Sequence, residues 1–369
     1  MSKKDFHHHF DKGTKTKLYI FNEYFKESFP VFLYSPAWKE ILIYDFFAGK
    51  GYDEIGEKGT SINILEQIKP YCSTLIAKKK KLYVILNDLD EKDILFRNVN
   101  QYLDECRKNC AETCIFSDKN LKIFGKDFNI YFDEVYPKIH NRKNAAKLIF
   151  LDPFNFILDD KKFLKLIDLK STDFMCFMPS SYLRRFRDLE LFNQFIDTKK
   201  LDYDNTPPSH CHRVIADYFK SLIPDDKEYY IGAFSIKKDS NYYGLIFGSS
   251  HSLGAEKFQK VCWTVDKLAG AADYNIDKEL SYKNPNGILF EEISVPQKIH
   301  SFREKLEEQI INGSISTDNE AYKFALKEMC QIKHASEVLK KLVDNNKIEL
   351  VKLIQQDIHK HKPNLIKVL

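Results

Sequence analysis

Seven short apolar runs are the strongest constraint on this chain: ILIYD at 41–45, LYVILN at 82–87, LKIF at 121–124, KLIFL at 147–151, DFMCFM at 173–178, YYIGAFSI at 229–236 and YYGLIFG at 242–248. Segments of helix length separate most of them. Strands alternating with helices imply βαβ crossovers, and so an α/β fold with a doubly wound, mainly parallel sheet. The last two runs lie close together and predict an antiparallel pair at one edge. With 29 Phe and 20 Tyr in 369 residues, there is ample apolar material to bury on both faces of such a sheet.

The rhythm changes at NPNGILFEEISVPQ, residues 284–297, whose Pro and Gly content is that of a linker. It divides a sheet domain, 1–290, from a C-terminal domain, 297–369. In the latter, Ile299, Phe302, Leu306, Ile310 and Ile311 form a helical stripe over Gln297–Ile311, and Thr317 with Glu320 predicts a capping box. A third helix over 333–345, an Asn-Asn turn and a strand complete the order of a winged-helix unit. Its inner face is expected to carry Ala335, Val338, Leu339, Leu342 and Val343. His334, Ser336, Lys340 and Lys341 are expected outward, and Lys347 and Lys352 on the wing are expected to approach phosphates.

The 57 Lys+Arg against 53 Asp+Glu leave only +4 overall, so an anionic partner must be met by a local patch. No run reaches the length of a membrane span and the opening MSKKDFHHHFDKG has no apolar signal core, so a cytoplasmic protein without a membrane partner is expected. The eight cysteines then read as reduced thiols. Cys106, Cys110 and Cys114 are expected on one helical face as packing residues, His210-Cys211-His212 as a loop cluster, and Lys78 to Lys81 as a solvated turn. No metal site is expected.

The chemistry concentrates where the runs end. In IYDFFAGKGYDE, residues 43–54, the first run closes on Asp45 and the chain then turns on Gly49 and Gly51. Glycines at a strand's carboxyl end let the backbone approach a ligand closely. An acid there repels a phosphate and favours an ammonium, and Glu54 stands where a dinucleotide fingerprint needs its third glycine. A zwitterionic amino-acid ligand, such as the methionine end of S-adenosylmethionine, fits better. Asp88 ends the second run, placed for ribose hydroxyls, and Asp127 follows the third, placed for an adenine amino group. LIFLDPFNF, residues 148–156, puts Asp152 and Pro153 after the fourth run. Ser180, Ser181, Arg184, Arg185 and Arg187 follow the fifth, where cations can meet nucleic-acid phosphates.

At these residues the sequence resembles class I S-adenosylmethionine-dependent methyltransferases. DFFAGKG is similar to the D-x-F-x-G-x-G motif of nucleic-acid amino methyltransferases, and DPFN to their D-P-P-Y. The resemblance implies that Asp45, Phe47, Gly49, Gly51, Asp88 and Asp127 hold the cofactor. It implies also that Asp152, the Pro153 carbonyl and Phe154 address a base amino group. Phe154 replaces the second proline and Asn155 the stacking aromatic, which leaves the target base open.

A wider resemblance, to the three-Cys-motif partner proteins, rests on TKTKLYIFNEYF at 14–25, YDFFAGKG at 44–51, FLDPFNF at 150–156, MPSSYLRRF at 178–186, YYGLIFGSSH at 242–251 and the C-terminal helix-helix-wing segment. It implies a Rossmann-like methyltransferase domain, a C-terminal helical domain and a companion iron–sulfur-type protein. The three cysteines of the family's name belong to that companion. Lys15 and Lys17, in the first of these stretches, are then placed toward the methionine carboxylate. Together these readings predict methyl transfer to a nucleic acid, DNA or RNA. The alternatives are a binding protein that uses the ligand structurally or as a sensor, and a nuclease or other defence effector on the same sheet.

Overall fold

The computed structural model describes residues 9–110, 114–153, 158–185, 201, 203, 206–276, 296–350, 358 and 362–369. Each apolar run becomes a strand: β1 (Glu40–Asp45), β2 (Lys81–Asn87), β3 (Leu121–Phe124), β4 (Ala145–Leu151), β5 (Thr172–Met178), β6 (Tyr230–Lys238) and β7 (Asn241–Ser249). They form one sheet in the order β3-β2-β1-β4-β5-β7-β6. The first five are parallel, and β7 runs antiparallel to both β5 and β6. This is the doubly wound Rossmann-like order with one antiparallel strand inserted near the edge, the sheet of class I methyltransferases.

Residues of β4 and β5 are buried without interruption because helices cover both faces of the sheet. Alternation then sorts them. Ile43, Val84, Leu148 and Phe247 meet one layer, α1 (Lys12–Tyr34), α2 (Thr60–Ile68), α4 (Lys92–Lys108) and α9 (Ser252–Val265). Leu42, Ile85, Ile149 and Phe174 meet the other, α5 (Phe128–His140), α6 (Asp160–Asp168) and α8 (Cys211–Ser221). Short helices α3 (Cys72–Ala77) and α7 (Ser180–Arg185) lead into β2 and out of β5.

The β5–β7 contact leaves no room at Gly248. Gly248 pairs with Phe174, and a methyl group built on Gly248 would lie 2.1 Å from the Phe174 ring. Gly248→Ala is therefore expected to destabilise the protein by about 1 to 3 kcal/mol or more, as overpacked cores do. Urea unfolding checks it, and an unchanged midpoint would show that the ring can give way.

Beyond residue 295 the chain forms α10 (Gln297–Ile311), α11 (Asp318–Lys327), α12 (Ile332–Asp344) and an antiparallel pair, β8 (Ile348–Leu350) with β9 (Ile366–Val368). The capping box is present: Glu320 N–H donates to Thr317 Oγ1 at 3.1 Å and Thr317 N–H donates to Glu320 Oε2 at 3.0 Å. Ile299, Phe302, Leu306 and Ile310 are buried as the stripe predicts, whereas Ile311 is exposed. Along α12 two expectations fail: His334 and Ser336 are buried, and Val343 is exposed. The first turn of α12 packs against α9, with the His334 ring 5.0 Å from the Trp263 ring, and that contact turns the helix. Trp263 Nε1 also donates to Met329 O at 3.0 Å, and Tyr322 Oη donates to Glu256 at 2.8 Å, so α11 and the connection from it to α12 are bonded to α9. The linker expected at 284–297 lies, up to residue 295, outside the described residues.

Two further readings are corrected. Only Cys106 is helical, because α4 stops at Lys108 and Cys110 and Cys114 come after it; all eight cysteines are free thiols. In the Lys78 to Lys81 run, the Lys80 ammonium is not merely solvated but donates to the Ser35 carbonyl at 2.6 Å and to that of Trp38. Among the described residues no helix is long and apolar enough to cross a membrane.

Candidate active site

The parallel register sets the carboxyl ends of β1, β2 and β4 side by side. Phe46 N–H donates to Phe150 O at 3.1 Å and Ala48 N–H to Asn87 O at 2.9 Å, so the loop after β1 is anchored to both neighbouring strands. The chain then turns with Gly49 at φ +59° and Gly51 at φ +89°, a backbone that L side chains rarely adopt. A Cβ built at Gly49 would meet nothing within 4 Å among the described residues, so they leave open space beside the turn there.

No helix follows directly. Tyr52 and Lys58 bridge across a small loop whose centre is buried Asp53, which accepts from Phe10 N–H at 3.1 Å, Ile55 N–H at 3.1 Å and Glu57 N–H at 2.7 Å. Gly59 N–H then donates back to Gly51 O at 2.8 Å, which returns the start of α2 to the glycine turn.

The strand-end acids are mostly committed to the backbone. Asp45 is buried and accepts from Thr60 Oγ1 at 2.5 Å and from Phe47 N–H at 3.1 Å. Burial pushes its carboxyl up to about 7; those two bonds oppose the shift, while the charges of Asp152 and Asp88 add to it. Asp88 accepts from Gly49 N–H at 2.9 Å, Asp90 N–H at 3.2 Å and Glu91 N–H at 3.0 Å. It thereby holds the glycine turn, with part of a carboxylate's acceptor capacity remaining, which is about four sites. Asp127 caps α5 through Oδ1, from Asn129 N–H at 2.9 Å and Ile130 N–H at 3.3 Å, and Oδ2 takes neither bond.

Asp152 differs. It is half-buried immediately after β4, and its carboxylate pairs with the nearly buried ammonium of Lys17, reaching over from α1. That ammonium also lies 4.7 Å from the centre of the Phe177 ring. Pro153 is buried behind it. Phe47, half-buried, packs its ring 5.3 Å from that of Phe128. The structure thus gathers Lys17, Asp45, Phe47, Gly49, Gly51, Asp88 and Asp152 around one strand edge. Phe154 lies outside the described residues, as do Asn155 and Lys352.

The expected nucleic-acid contacts are dispersed. Arg184 and Arg185 end α7, which is stitched to β7 by Ser180 Oγ donating to Tyr242 O at 3.1 Å and by Tyr242 N–H donating to Ser181 Oγ at 3.0 Å. Lys340 is exposed on α12, whereas Lys341 and Lys347 converge on Glu307 at 3.9 and 2.8 Å. Cys211 and His212 open α8 and are buried rather than forming a loop cluster.

No protein-family model and no curated protein matches this sequence. Among solved structures, it is similar to Trm1 from Pyrococcus horikoshii in complex with S-adenosyl-L-methionine, at 14% identity and TM-score 0.38, covering 100% of this chain and 93% of that one. It is similar also to Sp1610 from Streptococcus pneumoniae, a proposed tRNA (m1A22) methyltransferase, at 11% identity and TM-score 0.25, covering 85% of this chain and 98% of that one. The strand order, not these similarities, defines the fold.

Two site residues escaped sequence reading. Asn87 is buried, donates from Nδ2 to Phe46 O at 3.2 Å and Lys126 O at 3.0 Å, and accepts at Oδ1 from Lys126 N–H at 3.0 Å. One amide side chain therefore staples the loops after β1 and β3 to the end of β2. Its only sequence signal is its place directly before Asp88. Asp53 had none, because its partners are backbone amides, two in a loop without periodicity and one, Phe10, 43 positions earlier.

Proposed function

We propose that this protein is an S-adenosylmethionine-dependent methyltransferase acting on nucleic acid, with a base amino group as acceptor. One observation carries the reading. Among the four strand-end acids, Asp45, Asp88 and Asp127 are bonded to backbone amides, whereas among the described residues the partner of Asp152 is a charged side chain, Lys17. A carboxylate so held can exchange that partner for the amino group of a substrate. It stands at the crevice outside the carboxyl ends of the strands, where doubly wound sheets bind ligands.

The electrostatics suit the cofactor. Asp45 feels the charges of Asp88 and Asp152, and a ligand carrying an ammonium and a sulfonium relieves that repulsion. The Gly49–Gly51 turn leaves room for close approach, Asp88 retains acceptor capacity for ribose hydroxyls, and Asp127 Oδ2 faces no backbone amide in its cap. The Lys17 ammonium is the group to meet a carboxylate. The cofactor supplies a methyl group already activated by its sulfonium, so the protein's task is alignment. Asp152 and the Pro153 carbonyl orient the acceptor nitrogen and take hydrogen bonds from it.

This reading extends to a cytoplasmic protein of the three-Cys-motif partner family with a companion iron–sulfur-type protein. It divides the chain at 1–290 and 297–369, with the C-terminal helices and strand pair as a winged helix. A target base inside a duplex has to be flipped out to reach Asp152.

Calorimetry with S-adenosylmethionine tests the cofactor half. Asp88→Ala removes a charged acceptor and the brace on Gly49, so affinity is expected to fall roughly tenfold to a hundredfold. An unchanged affinity would remove Asp88 from the site. Absence of binding to the wild-type protein would overturn the reading.

A further inference from the structure

A second cleft lies between α8, the first half of β6 and the C-terminal helices α10 and α11, with a volume of about 510 Å³. That is within the range of about 300 to 1,000 Å³ typical of small-ligand sites. Its floor includes Ile231 and Ala233. In register Ile231 and Ala233 stand level with Ile149 and Leu151, but they lie on the edge strand β6, which β5 and β7 separate from β4 and Asp152, and no residue of the candidate active site lines the cleft. The cleft is distinct from the candidate active site.

Its walls are unevenly charged. Arg213, Lys220, Lys298, Lys305 and Lys327 line it, against the two carboxylates of Asp217 and Glu328. Both acids are already engaged, Asp217 with Lys220 at 3.0 Å and Glu328 with Lys305 at 3.3 Å. The Lys298 ammonium turns inward onto the carbonyls of Ala269 and Met329, at 2.7 and 3.0 Å, and makes no ion pair among the described residues.

The excess positive charge acts on the groups around it. His212, a buried wall residue whose Nδ1 has no hydrogen-bond partner among the described residues, has a pKa well below the ordinary imidazole value. Burial is the first cause, and the charges of Arg213, His210 and Lys298 add to it. Burial likewise pushes the Lys298 ammonium down, with Arg213 contributing. Like charges crowded at a solvent-open cleft are relieved by a bound anion, and closely spaced Lys and Arg side chains suit phosphate oxygens.

We propose that this cleft binds a phosphate-bearing nucleotide unit, presented either as a free nucleotide or within a nucleic-acid strand. The strand form rests on the function proposed above, since it would give the methyltransferase a grip on its substrate remote from the transfer site. The free form does not depend on it.

The test uses the full-length protein and a fluorescein-labelled ten-nucleotide single strand, followed by anisotropy, with unlabelled strand, AMP and inorganic tripolyphosphate as competitors. Arg213→Gln/Lys327→Gln, with melting temperature as the folding control, is expected to weaken strand binding at least tenfold and to flatten its salt dependence. Should that variant melt early, Lys327→Gln alone, at an exposed position, is expected to weaken binding about threefold. Competition by the unlabelled strand alone assigns a nucleic-acid backbone; competition by AMP and tripolyphosphate as well assigns a free nucleotide. Unchanged affinity in a folded variant, or no binding of any probe to the wild type, overturns the proposal. S-adenosylmethionine affinity, measured alongside, is expected to be unaffected. If the strand binds through this cleft and S-adenosylmethionine does not bind at all, the methyltransferase reading fails and the cleft stands.

Discussion

Asp152→Ala is expected to lower methyl transfer by on the order of a hundredfold or more while cofactor affinity stays within a few-fold. A hundredfold loss corresponds to about 2.7 kcal/mol of transition-state stabilisation. Among the described residues Asp152 accepts from no backbone amide, which leaves acceptor capacity for the substrate, and an interaction made mainly in the transition state acts on rate rather than on binding. The substitution also leaves the Lys17 ammonium, nearly buried, without its carboxylate. Asp152→Asn is therefore the companion variant: it keeps the side chain's shape and one acceptor but not the charge. Single-turnover transfer of a labelled methyl group to total cellular RNA and DNA, beside calorimetry with the cofactor, separates the two effects. Transfer at the wild-type rate in a folded Asp152→Ala protein would end the assignment of Asp152 to the acceptor.

The second large effect concerns pH. The Asp45 carboxyl is pushed up to about 7 in the folded protein, chiefly by burial, while an unfolded chain holds an aspartate near about 3.9. A raised carboxyl favours folding in its protonated form. Its contribution is fully present below the unfolded value and is lost as pH rises through the folded one. Over about three pK units the full loss approaches about 4 kcal/mol, of which roughly 2 to 3 kcal/mol falls between pH 5 and pH 8. Asp173, buried beneath Tyr24 and raised to about 6, titrates in the same window. Asp45→Asn should remove the larger part of the slope. Unfolding free energies of both proteins at pH 5 and pH 8 measure it: the wild type is expected to lose more stability with rising pH than the variant. Equal losses would place the titration elsewhere. A cofactor that binds this edge is expected to oppose the loss, because its positive charge favours the ionised Asp45.

What was readable in advance was whatever depends on neighbours along the chain. Apolar runs located all seven strands of the main sheet, the apolar stripe delimited α10 from Gln297 to Ile311, and Thr317 with Glu320 announced the start of α11. The two glycines after Asp45 marked the tight turn, since positive φ is a local demand that few other residues meet. Periodicity and capping are short-range chemistry, and the sequence by itself determined them.

The partners of the polar groups were decided by the tertiary structure alone. Asp45, Asp88 and Asp127 look equivalent as strand-end acids, yet Asp45 takes the Thr60 hydroxyl and the nearby Phe47 amide, parallel pairing of β1 with β2 sets the Gly49 amide against Asp88, and Asp127 caps its own helix. Asp152 instead faces a charged side chain, Lys17, which comes from α1, 135 positions earlier. The same cause hid Asn87, turned His334 and Ser336 inward against α9, and assembled a basic cleft from α8, α10 and α11, none of which carries an unusual charge run. A hydrogen bond or an ion pair is satisfied by whatever the packing brings within about 3 Å. In a sheet with crossover connections, that neighbour is chosen by strand order and register, which no local pattern contains.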